Sequence, residues 1–555
     1  MGTYRSEKFV DVNIWVEERY SSALMDYLSE NQVFHVRGNK IAGRPKDIDQ
    51  LISKCEEISK MVDYLNEIVP KGTPSKLVLP ADIRAAVSSL YRMVKEPYDR
   101  INEIMAKTES LYGRLASGEP VDSCLKELDS LIDELERIRK DLSDKIIPFK
   151  EAVISLRRRL DFLGKNSQYE SFFVVNGWVP EKRLRSIAED LEKLCNGLVV
   201  IEVVRVRDYP PTLIRVPKIL SPVQSLVNAF GLPKSTEINP TILAWLTFPL
   251  FFGMMFGDVG QGFVILLVGL LSMYISKKRK FEGITGMIVN NGQFLVALGI
   301  GAIIFGFIYG DLFGPDRFFK FGLFHPMEET NRAIIIALFV GVVHITTGIV
   351  LSIANCLMNR KYLDALVGPV PWLAFYLMFT YPIAYKFFCP TWHLDLSGIY
   401  FNPMFLGVLA IPLLIMLMGH PIKEVVEEGH SLKEALSSIG MGSMEVFEVG
   451  LESLGHTISY LRLWALNMAH EALMIVFIRL AFMCYPTNFI AGLVIELGGN
   501  LLVLTLEGAI AFMHALRLHW VEWFMKFYDG TGYPFSPFQD KRKWVIYGGI
   551  PAQRF

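Results

Sequence analysis

Apolar positions are spread unevenly along this chain. Residues 1–238 mix them with frequent Lys, Arg, Asp and Glu, whereas from Ile242 onward long apolar runs dominate. A run of about twenty apolar residues is what an α-helix needs to cross the hydrocarbon core of a bilayer. Eight such runs are read here, at about 242–256, 259–276, 291–311, 332–357, 366–388, 402–420, 449–484 and 490–526. The first two form a tight pair broken at Gly257-Asp258. Basic residues favour cytoplasmic loops. Lys277-Lys278-Arg279-Lys280, Arg360-Lys361 and Lys541-Arg542-Lys543 follow the second, fourth and eighth runs, so both termini are expected in the cytoplasm.

In the first half the pattern changes period. Phe9–Trp15 reads as a strand, 17–30 as a helix and Val33–Val36 as a second strand. Residues 170–206 repeat the theme, with Phe172-Phe173-Val174-Val175, a charged helix, and Leu198–Val204. Strand–helix alternation of this kind predicts two small α/β lobes, at about 1–80 and 165–238. Between them, about 82–163 is long amphipathic helix that turns at Ser117-Gly118-Glu119-Pro120. Its second arm carries Leu128, Ile132, Leu135, Leu142, Ile146, Phe149, Val153, Leu156, Leu160 and Leu163, with Arg139 interrupting the seam. That 3,4 spacing predicts an antiparallel coiled-coil hairpin. Pro97 and Pro148 are expected to bend its arms. The expected division is 1–238 as a cytoplasmic domain and 239–555 as a transmembrane domain.

Composition narrows the chemistry. The 555 residues are 51% hydrophobic and 20% charged, and the net charge of −1 averages two unlike halves. Six scattered Cys form no close pair, so neither a disulfide framework nor a metal site is expected. The first residues lack the apolar core of a signal peptide. No phosphate-cradling glycine loop is visible, so this chain is not expected to hydrolyse nucleotide itself. No cofactor or nucleic-acid partner is expected.

The membrane half holds charges where they are costly. Arg462 lies in Ser459-Tyr460-Leu461-Arg462-Leu463-Trp464, inside the seventh run, and Arg517 in His514-Ala515-Leu516-Arg517-Leu518-His519, inside the eighth. A guanidinium at bilayer depth costs roughly 2.5–3.5 kcal/mol on insertion scales. Glu448, Glu452 and His456 precede Arg462 at i, i+4 and i+8, one face of a helix. Arg462 is fourteen places after Glu448, nearly four turns, so it projects within about 40° of that carboxylate. Glu445 sits at the mouth of this stripe. His470 lies beyond Arg462, and Glu507, His514 and Arg517 share a face of the last helix. Two polar half-paths ending at a fixed positive charge are what a rotary ion motor requires. A passing carboxylate ionises beside the guanidinium, because opposite charge lowers its pKa. Arg479 and Glu496 lie near span ends and can snorkel to the interface. Glu471 points away from the Arg462 face. Phe252–Asp258 and Phe305–Asp311 share the pattern FG-x-x-x-GD, which reads either as an external ion vestibule or, the favoured reading, as close helix packing ending in an interfacial cap.

The stretch His456-Thr457-Ile458-Ser459-Tyr460-Leu461-Arg462-Leu463-Trp464-Ala465-Leu466 resembles the signature of the membrane-bound stator subunit of V-type and A-type rotary ATPases, called subunit a or subunit I. So do Pro249–Gly260, His514–Glu522 and Asn176-Gly177-Trp178-Val179-Pro180. The resemblance implies eight membrane helices, the last two long and tilted against a rotating proteolipid c-ring. It also implies an arm that binds peripheral-stalk subunits of the E/G type and a central-stalk collar subunit of the d/C type. The essential arginine maps onto Arg462 and its companion onto Arg517. The half-channel groups map onto Glu448, His456, His470, Glu507 and His514. Some relatives carry an amide where this chain has Glu452. The membrane is the plasma membrane for a prokaryotic chain and a vacuolar or endomembrane for a eukaryotic one.

Two other readings compete. A secondary transporter acting alone would exploit the FG-x-x-x-GD duplication, but both polar helices lie at the C-terminal end, not in matching halves. A purely structural anchor leaves Arg462 and Arg517 without a purpose.

Overall fold

The computed structural model describes residues 5–37, 47–117, 120–169, 172–204, 209–278, 290–314, 323, 325–388, 398, 402–423, 425–426 and 439–548. The chain forms two compact units. One comprises Lys8–Pro211 with Phe535–Phe555, the other Met1–Glu7 with Thr212–Pro534. This division differs from the expected one at both ends. Residues 212–238 belong with the membrane-type helices, and the last 21 residues belong with the α/β unit.

The α/β unit runs β1 (Phe9–Glu17), α1 (Ser21–Asn31), β2 (His35–Val36), α2 (Ile48–Ile68), β3 (Leu77–Pro80), α3 (Ile83–Ala116), α4 (Val121–Ser143), α5 (Ile146–Gly164), β4 (Ser167–Tyr169), β5 (Phe172–Pro180), α6 (Leu184–Leu194), β6 (Val199–Val204) and β7 (Val545–Gly548). The strands expected in two separate lobes pair in one sheet, ordered β2-β5-β1-β6 with β4 beside β5. β1 and β5 are antiparallel, with Phe9 opposite Pro180 and Glu17 opposite Phe172. The reason is burial. Val12, Ile14 and Val16 of β1 and Val175 and Val179 of β5 are fully enclosed, so each strand supplies the apolar face the other lacks. β3 and β7 form a second, parallel pair.

Helices α3 and α4 pack through Ile104, Leu111, Cys124 and Leu131, with exposed ion pairs Arg100–Glu134 at 2.9 Å and Arg114–Glu127 at 3.2 Å between them, while the expected turn at Gly118-Glu119 lies outside the described residues. The expected second arm is two helices, α4 and α5, and Pro97 lies inside α3 without ending it. The seam differs from the expected one. Leu131 is buried and Ile132 is 45% exposed, so contact runs through Cys124, Leu131 and Leu135 with Ile138 in place of the anticipated gap.

The helical unit comprises α7 (Ser221–Phe230), α8 (Thr241–Met255), α9 (Val259–Lys278), α10 (Gly292–Tyr309), α11 (Thr330–Met358), α12 (Tyr362–Val367), α13 (Pro369–Phe388), α14 (Pro403–Leu417), α15 (Gly419–Lys423), α16 (Ile439–Ser459), α17 (Leu461–Cys484) and α18 (Phe489–Trp520). Among the described residues, six stretches are long and apolar enough to cross a membrane: 259–278, 292–309, 330–358, 362–382, 442–484 and 489–526. The first and sixth expected spans appear as shorter apolar helices, Thr241–Met255 and Pro403–Leu417.

The FG-x-x-x-GD repeats pack as anticipated. A methyl group on Gly253 would lie 2.4 Å from the Gly301 carbonyl oxygen, and one on Gly306 would lie 2.4 Å from the Val259 nitrogen. Only glycine permits backbones this close. Asp258 is fully buried and caps α9, accepting the N–H of Gln261 at 2.9 Å. It also accepts the N–H groups of Phe313 and Gly314, tying down the turn after α10.

Candidate functional site

The seventh expected span is not one continuous helix. It breaks at Tyr460, between α16 and α17. Tyr460 is wholly buried, shares a 2.6 Å hydrogen bond with Nδ1 of His344, and fits against Gly341, where a methyl would lie 2.5 Å from the phenol ring. Tyr460 itself keeps helical backbone angles, φ −73° and ψ −13°, and Arg462 falls in the first turn of α17.

Arg462 keeps 16% of its side-chain surface exposed. Its Nη1 lies 3.8 Å from Oε1 of Glu522, a carboxylate whose side chain is 2% exposed. Arg517 is exposed near the end of α18, and His514 one turn before it is half-buried. The charges of Arg462 and Arg517 are close enough to act on each other, and both act on His514. Ile458 on α16 and Ile510 and Met513 on α18 are exposed.

Glu448, Glu452 and His456 all lie on the unbroken helix α16, where their spacing keeps them on one face. Glu448 is exposed, while Glu452 and His456 are half-buried. Glu452 is paired with Nζ of Lys526, which lies 2.5 Å from its Oε2.

On the other side of the arginines, His470 of α17 and Glu507 of α18 are both buried and lie 2.7 Å apart through Nδ1 and Oε2. The His470 ring also contacts Phe256, with centroids 4.7 Å apart. Asn467, one turn toward Arg462, is buried with no partner for either amide atom among the described residues. Gln261 and Asn500 add a 3.4 Å contact to this interior polar region. His514 is not part of it and sits with the arginines.

Sequence reasoning missed four members of this neighbourhood. Glu522 and Lys526 fall in the last turns of the eighth expected span and pass for its interfacial end. Two carboxylate- and ammonium-bearing residues at i and i+4, inside an apolar run, are the signal that finds them. His344 and His519 are buried, with ring centroids 5.3 Å apart, and His519 contacts Thr247 Oγ1 at 2.7 Å. Nothing in their spacing marks them.

Residues 158–332 and 423–539 match the V-type ATPase 116kDa subunit family. The chain belongs to that family. A-type ATP synthase subunit I of Aeropyrum pernix is 28% identical over 73% of this chain and 63% of its own length. Subunit I of Pyrococcus horikoshii is 26% identical over 88% of this chain and 72% of its own. V-type proton ATPase subunit a of Schizosaccharomyces pombe is 24% identical over 91% of this chain and 73% of its own. The chain thus spans roughly two thirds of the length of these family members. The second matched segment holds α16, α17 and α18 and so Glu448, Glu452, His456, Arg462, His470, Glu507, His514, Arg517, Glu522 and Lys526, whereas His344 lies outside both segments.

Proposed function

We propose that this chain is the ion-conducting stator subunit of a rotary ATPase, working against a ring of proteolipid subunits. Arg462 and Arg517 interrupt the apolar helices α17 and α18, with Glu448, Glu452 and His456 on α16 before Arg462 and the His470–Glu507 pair after it. That arrangement carries the reading. Glu448, Glu452 and His456 line the half-path on the side of the two termini, which is the cytoplasmic side. His470, Glu507 and Asn467 line the other half-path, and His514 sits between them beside the guanidinium pair.

A ring carboxylate arrives protonated through lipid. Beside Arg462 its ionised form is favoured, because opposite charge stabilises it. The proton leaves by one half-path, and the carboxylate takes up another from the second before re-entering lipid. The fixed positive charge repels free protons, so the half-paths stay separated. The buried Glu522 carboxylate, 3.8 Å from Arg462 Nη1, partly offsets the charge of the guanidinium. The α/β unit serves as the arm that binds peripheral-stalk and collar subunits. No step of ATP chemistry occurs in this chain.

Arg462→Ala tests the reading. The assembled complex should keep ATP hydrolysis and lose ion pumping in sealed vesicles. A complex that assembles and still pumps at the wild-type rate excludes this function. Transport by the chain alone in liposomes would favour a stand-alone transporter instead.

A further inference from the structure

One turn of chain after α18 bears two opposite charges, and each meets its complement on the polar helices. Glu522 faces Arg462 at 3.8 Å, and four residues later Lys526 meets Glu452 at 2.5 Å. The Lys526 side chain is 2% exposed. Its ammonium lies 4.5 Å above the Trp372 ring, and the indole N–H of Trp372 donates to Ser453, the residue next to Glu452. Glu448 and Glu522 complete the charged surroundings of the ammonium, and His456 feels both Lys526 and Glu452. The cation is thus held between α13, α16 and the segment after α18.

A buried ammonium with one carboxylate partner and one aromatic face is tolerated because the pair is neutral as a whole. Protonating Glu452 would strand the ammonium in a poorly solvated site, which is strongly unfavourable. Glu452 is therefore unsuited to carrying protons, although it lies on the stripe between Glu448 and His456.

We propose that Lys526 is a positioning cation of the termini-side half-path, keeping Glu452 ionised as its anchor and placing a fixed positive charge beside the route from Glu448 to His456. This rests on the stator reading given above. Glu452 then serves the path as the counter-ion of Lys526 and not as a proton relay.

The test measures the ratio of ion pumping to ATP hydrolysis in assembled complexes. That ratio is not moved by a change in the amount of complex. Lys526→Met leaves the half-buried Glu452 without its cation, Glu452→Gln leaves the buried Lys526 unpaired, and each should lower the ratio roughly tenfold. Lys526→Arg should retain it. The double variant Lys526→Met/Glu452→Gln removes both charges and should recover to within about threefold of wild type. A double variant as slow as Glu452→Gln alone overturns the proposal, because Glu452 would then carry protons itself. An unchanged ratio in every variant overturns it too, because the pair would be packing only. If the single variants do not assemble, the double variant decides. Arg462→Ala, run alongside, reports on the stator reading separately. Loss of pumping there with no effect at Lys526 sinks only the present inference.

Discussion

His470 Nδ1 and Glu507 Oε2 lie 2.7 Å apart and join α17 to α18 within the protein interior. The bond couples an imidazole, which can exchange a proton, to a carboxylate that can pass it on. Among the described residues, no Lys or Arg forms an ion pair with either group. If the pair relays protons, removing its acid–base capacity while keeping its shape should slow transport and leave the helices in place. Glu507→Gln is expected to lower ion pumping by about tenfold to a hundredfold, the usual size of a positioned acid–base contribution. His470→Gln should do the same, and the double variant should be little worse than either single one, because the two act as one unit. Pumping in vesicles containing intact complexes checks this. Loss of the assembled complex would mean the pair is structural.

The sites legible in sequence were those whose partners lie on the same helix. Glu448, Glu452 and His456 share a face because of spacing alone, and the structure keeps them on one continuous helix. Arg462 and Arg517 were legible because charge inside an apolar run is rare. What spacing could not give was anything decided by a partner far along the chain. Tyr460 finds its hydrogen-bond partner in His344, 116 residues earlier. Lys526 acquires its meaning from Glu452, 74 residues earlier. The fusion of two expected lobes into one sheet has the same origin. Local alternation predicts that β1 and β5 are strands, but it says nothing of which strand each will pair with.

The C-terminal segment is built into the core of the α/β unit. Arg159 is fully buried and donates to Asp540 at 2.8 Å, to Ser22 at 3.1 Å and to Asp26. Its guanidinium lies 3.9 Å from the centre of the Tyr547 ring. Arg542 bonds Asp26 at 2.5 Å and lies 3.2 Å from Asp540. Replacing Arg159 with Met leaves Asp540 buried without its main cation. Breaking such a network typically costs about 3–5 kcal/mol. Arg159→Met should therefore destabilise the α/β unit by that amount, and deletion of residues 535–555 should do at least as much harm. Hydrogen exchange of β3 and α5 amides in the full-length chain measures both effects. Unchanged protection in either variant would show that the segment contributes nothing to the unit.

The glycine contacts of the helical unit predict a different kind of failure. A methyl on Gly301 would lie 2.2 Å from the Pro249 carbonyl oxygen, which is backbone and cannot swing aside. Gly301→Ala must push α8 and α10 apart, an overpacking cost of about 1–3 kcal/mol. Gly407, which has nothing within 4 Å of the equivalent position, is the control. Gly407→Ala replaces glycine by a better helix former without a clash. Thermal unfolding in detergent should fall for Gly301→Ala and stay or rise for Gly407→Ala. Equal midpoints would mean that α8 and α10 are not packed this closely.

His35 gives the α/β unit a dependence on pH whose sign follows from its setting. Burial holds its pKa below the usual histidine value of 6.5, and the Lys165 charge acts in the same direction, while the Ser536 carbonyl opposes them. In the neutral ring, Nδ1 accepts the Ser536 N–H at 3.0 Å and so helps hold the C-terminal segment. The folded state therefore binds this proton less readily than the unfolded chain does. Its contribution to stability is complete above about pH 6.5 and is lost as pH falls from there through the lower, folded-state value. His35→Asn removes the titration. The stability difference between wild type and His35→Asn should be largest near about pH 7.5 and should shrink toward about pH 5. Hydrogen exchange of the β2 and β5 amides in the full-length chain, measured for both proteins across that range, reads the difference directly. A gap that widens on acidification would require the folded state to hold the His35 proton more tightly, contrary to the burial seen around it.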